Sequence, residues 1–120
     1  MSGVKRATRV AGRMQEELSA ALRGLGDPRL VGVLISRVDL TDDLQNARVY
    51  VRREQGGDDE AAVKGALKGL GAAAGRLRRT AGQALGLRYT PELRFFYDTS
   101  LDAVNRIEEL LREVKRDSGQ

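Results

Sequence analysis

KGALKGLGAAAGRLRRTAGQAL, residues 64–85, is the stretch whose reading decides the fold. Apolar residues recur at Val63, Leu67, Leu70, Ala74, Leu77, Ala81 and Leu85, the three- and four-residue spacing that gathers one face of a helix. Within it, Gly71-Ala72-Ala73-Ala74-Gly75 sets two glycines where each costs about 1 kcal/mol relative to alanine. The spacing therefore predicts helix, kink, helix. From Ala61 to Pro91 there is no Asp or Glu, whereas Lys64, Lys68, Arg76, Arg78, Arg79 and Arg88 are all cationic. Such a run attracts a polyanion.

The chain has 120 residues and a net charge of +4, and that charge is segregated: successive blocks of 30 residues carry +3, −3, +6 and −2. This length suits one domain with one core, taken as residues 1–116 with a polar tail at 117–120. Cysteine and histidine are both missing. Disulfides, thiolate nucleophiles, Ser-His-Asp triads and His or Cys metal sites are thereby excluded, and no cofactor is expected. No apolar run approaches the roughly 20 residues that cross a bilayer. The opening MSGVKRATRV lacks the apolar core of a signal peptide, so a cytoplasmic protein without membrane attachment is expected.

On the N-terminal side, Val4 to Leu25 reads as an amphipathic helix with Ala7, Val10, Ala11, Met14, Leu18, Ala21, Leu22 and Leu25 on one stripe. Lys5, Arg6, Arg9 and Arg13 crowd its first turns, where the helix dipole disfavours cations. Arg6, Arg9 and Arg13 are either a solvated face or a second contact for the polyanion. After Asp27-Pro28, Val31 to Leu40 is β-branched and reads as a strand. A turn at Thr41-Asp42-Asp43-Leu44 leads into Gln45 to Arg53, which alternates as a half-buried antiparallel strand should. The two form a hairpin. Gln55-Gly56-Gly57 is a loop, and Asp58 or Asp59 caps the next helix.

On the C-terminal side, Leu87 to Asp98 reads as a third strand, with Leu93, Phe95 and Tyr97 turned one way and Arg94 and Phe96 the other. Phe95 and Tyr97 are read as core anchors rather than base-stacking platforms. Thr99 or Ser100 can cap a last helix from Leu101 to about Arg116, whose apolar side, Leu101, Val104, Ile107, Leu111 and Val114, would cover the core.

The resulting order is α+β, with helices on one face of a three-stranded sheet. It resembles a type II KH domain with one helix added. KH domains clamp a nucleic-acid backbone with a GxxG loop between two helices, and no glycine pair of that spacing occurs between Lys64 and Leu85. Ala73-Ala74-Gly75 stands there instead. This resembles the AxG kink of the ribosome-binding factor A family, as do RVAGRMQEELSAALR, DPRL, RVDLTDDLQNARVYV, AAGRLRRTAGQALGLRYTPELRFFYD and SLDAVNRIEELL, in the family's order and over nearly the whole chain. Departures are the glycine-rich second helix, with Gly65, Gly69 and Gly71, and a short tail.

The resemblance implies a non-enzymatic factor that binds the small (30S) ribosomal subunit, contacting 16S rRNA and small-subunit ribosomal proteins. It would aid late maturation and 5′-end processing of 16S rRNA, matter for growth in the cold, and leave with the help of an assembly GTPase. A monomer when free is expected. Its RNA contacts would come from Lys64, Lys68, Ala73, Ala74, Gly75, Arg76, Arg78, Arg79 and Arg88, and from Arg6, Arg9 and Arg13. Two cations two residues apart on a helix diverge by about 200°, so Arg76 pairs in direction with Arg79 rather than Arg78. Small residues at the kink serve either close approach by RNA or tight packing onto the sheet. Asp39, Asp42 and Asp43, with Asp58, Asp59 and Glu60, are the only acidic groups that suggest a hard cation, and turn and cap chemistry already accounts for them.

Overall fold

The computed structural model describes residues 3–54, 59–99, 107 and 110–114. Helix α1 is Gly3–Arg23, followed by a 3-10 turn, Pro28–Leu30, strands β1 (Val33–Leu40) and β2 (Asn46–Arg53), helix α2 (Glu60–Leu85) and strand β3 (Glu92–Tyr97). The sheet order is β1-β2-β3, with β1 antiparallel and β3 parallel to β2. Both helices lie on one face of the sheet. Their inward stripes, Ala11, Met14, Leu18 and Leu22 from α1 and Leu70, Leu77 and Ala81 from α2, meet Ile35, Val38, Ala47, Val49, Val51 and Leu93 in one core. This is the α+β, type II KH-like arrangement expected.

The expected interruption at Gly71–Gly75 does not divide α2, which runs unbroken for 26 residues. Three consecutive alanines, the best helix formers, offset the two glycines. Burial of Leu70, Ala73 and Leu77 against the core then holds the helix through tertiary packing, the usual source of helix stability. Its ends are fixed chemically. Asp59 accepts a hydrogen bond from the Ala62 backbone N–H at 2.6 Å. At the other end Gly86, with φ of 63°, permits backbone bonds from Gly86 to Gln83 and from Leu87 to Gly82, a Schellman closure. That closure turns the chain, so β3 begins at Glu92 rather than Leu87. Pro91, which has no N–H for a ladder, is buried just before the strand.

β1 departs from simple alternation. Ile35 faces Val51 and Arg37 faces Tyr50, which leaves Ser36 as a bulge. Its hydroxyl donates to Asp98 Oδ2 at 2.6 Å, and Gln15 of α1 donates to the Ile35 carbonyl at 3.3 Å. Ahead of β1, Asp27 caps the 3-10 turn and holds the Arg29 guanidinium at 2.7 Å. Hydrogen bonds from Arg29 keep the Asp27 carboxyl below its ordinary pKa. This contribution is present above the unfolded carboxyl's pKa and is lost as pH falls through the lowered folded value.

The loop Gln55-Gly56-Gly57, Asp58, the Ser100 cap, most of the last helix and the tail 117–120 lie outside the described residues. Residues 107 and 110–114 are helical. The apolar side chains described there, Ile107, Leu110, Leu111 and Val114, are 56–62% exposed. They do not cover the core as expected, because α1 and α2 already close it.

Glycines in α2 divide into two kinds. A Cβ on Gly82 would lie 2.5 Å from Thr90 Oγ1 and 3.1 Å from its Cγ2, and one on Gly69 would lie 3.0 Å from Leu30 Cδ2, whereas Gly71 has nothing within 4 Å. Gly82→Ala is expected to destabilise the fold by about 1–3 kcal/mol through overpacking. Gly71→Ala is expected to stabilise it by roughly 0.5–1 kcal/mol through lower backbone entropy. Urea unfolding of both variants checks the opposite signs.

Candidate nucleic-acid interface

Because Ala66, Leu70, Leu77 and Ala81 turn α2 towards the core, the 100° step of a helix fixes what faces outward. The strip opposite the core consists of Lys64, Lys68, Gly71, Ala72, Gly75 and Arg79, with Arg76 at its margin, and all seven are exposed. Cations thus stand at both ends of a patch on which no side chain exceeds a methyl group. A Cβ on Gly75 would meet only the Arg79 Nη1 tip, at 3.6 Å. Packing onto the sheet therefore does not require glycine at Gly71 or Gly75. Their smallness instead leaves the outer helix backbone open to close approach, where phosphate oxygens and riboses can reach the flanking cations.

The expected contact residues do not all share this strip. Lys68, Arg76 and Arg79 have no ion pair among the described residues, whereas Lys64 pairs with Glu60 at 3.1 Å. Arg78 is committed elsewhere. Its Nε donates to the Pro91 carbonyl at 3.0 Å and its Nη2 to the Thr90 carbonyl at 2.8 Å, with Glu92 at 4.0 Å. It ties α2 to the segment that leads into β3. Ala73 packs against the core and Ala74 is half-buried, so the small residues on the outer surface are Gly71, Ala72 and Gly75. Arg88 lies past the end of α2 with its guanidinium 5.5 Å from the Tyr89 ring centroid. Arg6, Arg9 and Arg13 form a separate exposed row on α1, opposite Ala7, Ala11 and Met14.

Of the acidic candidates for a metal, Asp39, Asp43, Asp59 and Glu60 are engaged in local contacts. Asp39 pairs with Arg37 at 3.2 Å. Asp43 accepts hydrogen bonds from Thr41 Oγ1 and the Gln45 N–H, which lower its pKa. Sequence reasoning passed over Ala72, whose place four residues after Lys68 was the available signal. Alternation alone sets Arg48, Tyr50 and Arg52, and Arg94 and Phe96, on the outward sheet face, though the sequence gives them no assigned contact.

Comparison with known proteins agrees with this architecture. The family described as ribosome-binding factor A matches residues 6–111. Ribosome-binding factor A of Sorangium cellulosum is 63% identical over 116 residues, spanning 96% of this chain and 94% of the relative. That of Geobacter sulfurreducens is 41% identical, spanning 95% of each. Among solved structures, the crystal structure of ribosome-binding factor A from Thermus thermophilus aligns with a TM-score of 0.66 at 26% identity, over 76% of this chain and 94% of that one. T. thermophilus ribosome binding factor A coordinates fitted into a cryo-EM map of a 30S complex with that factor align with a TM-score of 0.60 at 26% identity, over 74% of this chain and 91% of that one.

Arg78 and Arg79 are neighbours with different work. Arg78→Ala, which removes charged hydrogen bonds to two carbonyls, is expected to lower stability by about 1.5–3 kcal/mol. Arg79→Ala should stay within roughly 0.5 kcal/mol of the wild type. Thermal unfolding of both proteins distinguishes the roles.

Proposed function

This chain belongs to the ribosome-binding factor A family, and we propose on that footing that it binds the small (30S) ribosomal subunit and assists late maturation of 16S rRNA, including processing of its 5′ end, without catalysis of its own. It acts in the cytoplasm as a monomer when free, touches small-subunit ribosomal proteins as well as rRNA, and leaves with the help of an assembly GTPase. The observation that carries the reading is the outer strip of α2, where Lys68, Arg76 and Arg79 flank bare backbone at Gly71, Ala72 and Gly75. Arg6, Arg9 and Arg13 on α1 and Arg88 beyond α2 extend the cationic surface. Affinity then comes from phosphate neutralisation, and specificity from the shape of folded rRNA and its proteins.

Co-sedimentation with small subunits over a salt series tests this. The wild type should pellet with subunits, and Arg76→Glu with Arg79→Glu should abolish pelleting while circular dichroism stays unchanged. Engaging on the order of five phosphates makes log affinity fall with log salt at a slope of roughly −3.5 to −4.5; a flat dependence contradicts the charge argument. Gly75→Val separates backbone contact from packing: contact predicts unchanged melting with weakened subunit binding, and packing predicts that both decline together. A wild type that pellets at no salt concentration overturns the assignment of the subunit as partner.

A further inference from the structure

The face of the sheet turned away from the helices carries its own ordered surface. Two rows run across the strands in register: Arg37, Tyr50 and Phe96, and beside them Asp39, Arg48 and Arg94. The bulge at Ser36 puts Arg37 in the first row, with its guanidinium 4.2 Å from the Tyr50 ring centroid. Tyr50 in turn lies 5.6 Å from Phe96, centroid to centroid, with the rings tilted by 30°. One side of Tyr50 is therefore occupied, while Phe96, 40% exposed, ends the row open to solvent.

The charge on this face is unbalanced. Of its acids, Asp39 is engaged by Arg37 at 3.2 Å, Glu92 lies 4.0 Å from Arg78, and the Asp98 carboxylate accepts from Ser36 at 2.6 Å. Arg48 and Arg94 are register neighbours on adjacent strands, both exposed, and neither has an ion pair among the described residues. Like charges placed directly opposite across a strand pair destabilise the sheet, and an anion held between them removes that cost. Arg52 adds a further cation on the same face of β2.

Exposed rings interleaved with arginines are how single-stranded RNA is held, with a base stacked on the ring and its phosphates on the guanidinium groups. A duplex keeps its base faces internal and offers none to Phe96. We propose that this open sheet face is a second RNA site, taking a single-stranded segment with one base stacked on Phe96 and the flanking phosphates on Arg48 and Arg94. The inference rests on the reading of the chain as an rRNA-contacting factor, and it adds a surface on the opposite side of the molecule from the outer strip of α2.

The test uses the full chain and a fluorescent oligouridylate of about ten nucleotides, a length within the range that such platforms span, read by anisotropy at ~50 mM salt. The wild type should bind it, and an RNA duplex of equal length should compete poorly. Phe96→Ala should weaken binding roughly 5- to 150-fold, the loss of one stacked base. Arg48→Gln with Arg94→Gln should weaken it and reduce the salt slope by about 1.4. If Phe96→Ala fails to fold by circular dichroism, Phe96→Leu, which keeps the apolar contact but not the flat ring, is measured and should show the same direction. Variants that bind oligouridylate within twofold of the wild type overturn the site, as does equal competition by duplex. Loss of subunit pelleting with unchanged oligouridylate binding also overturns it, and identifies the face as a dock for ribosomal protein. A wild type that pellets with subunits but does not bind oligouridylate defeats only this inference; failure to pellet defeats the functional reading.

Discussion

Everything in this fold depends on two long helices sharing one face of a three-stranded sheet. Met14 and Leu18 from α1, Leu70 and Leu77 from α2, and Val49 and Val51 from the central strand are each at most 1% exposed. Burying one such side chain contributes roughly 1.5–3 kcal/mol, against a net stability of about 5–15 kcal/mol for a typical domain. β2 is the seam, because it alone of the described strands pairs on both sides. With most of the apolar residues spent on one side, the outer surface of α2 is left to polar and small groups and that of the sheet to arginines around Tyr50 and Phe96.

The glycines of α2 show how one helix serves both sides. Gly69 and Gly82 make room inward, for Leu30 and for Thr90, whereas a Cβ on Gly71 would meet nothing and one on Gly75 only the Arg79 side-chain tip. Small residues at the first pair let the connecting segments pack close, which positions β3. At the second pair the fold gains nothing, and glycine there weakens the helix. That cost falls beside Lys68, Arg76 and Arg79, on the strip proposed to meet RNA.

Much of this was legible in the sequence because the signals were local. The stripe from Ala7 to Leu22 has one helical period, Gln45 to Arg53 alternates, and Asp59 and Gly86 mark the limits of α2. The departures arose where tertiary packing or a single residue overrode the local pattern. Gly71 and Gly75 did not break α2, since Leu70, Ala73 and Leu77 bind it to the core. The Ser36 bulge was hidden because an inserted residue is visible only from the partner strand. Leu87 to Pro91 resembled strand but was drawn into the closure of α2 and the hold of Arg78. Arg78 itself lay in a cationic run, and nothing in the run distinguished the one guanidinium that reaches the Thr90 and Pro91 carbonyls.

A one-sided core also dictates how such a domain can meet RNA. The outer strip of α2 and the open sheet face stand on opposite sides of a two-layer slab, so no single RNA helix lies along both. The α2 strip suits a folded backbone, because its centre is bare main chain and its ends are point charges. The sheet face, with the Arg37, Tyr50 and Phe96 row beside Arg48 and Arg94, suits an unpaired strand. The two proposed surfaces therefore call for two separate segments of RNA, one on each side of the slab. Each surface then contributes a salt-dependent increment, and both are needed only where the two segments stand a slab's thickness apart.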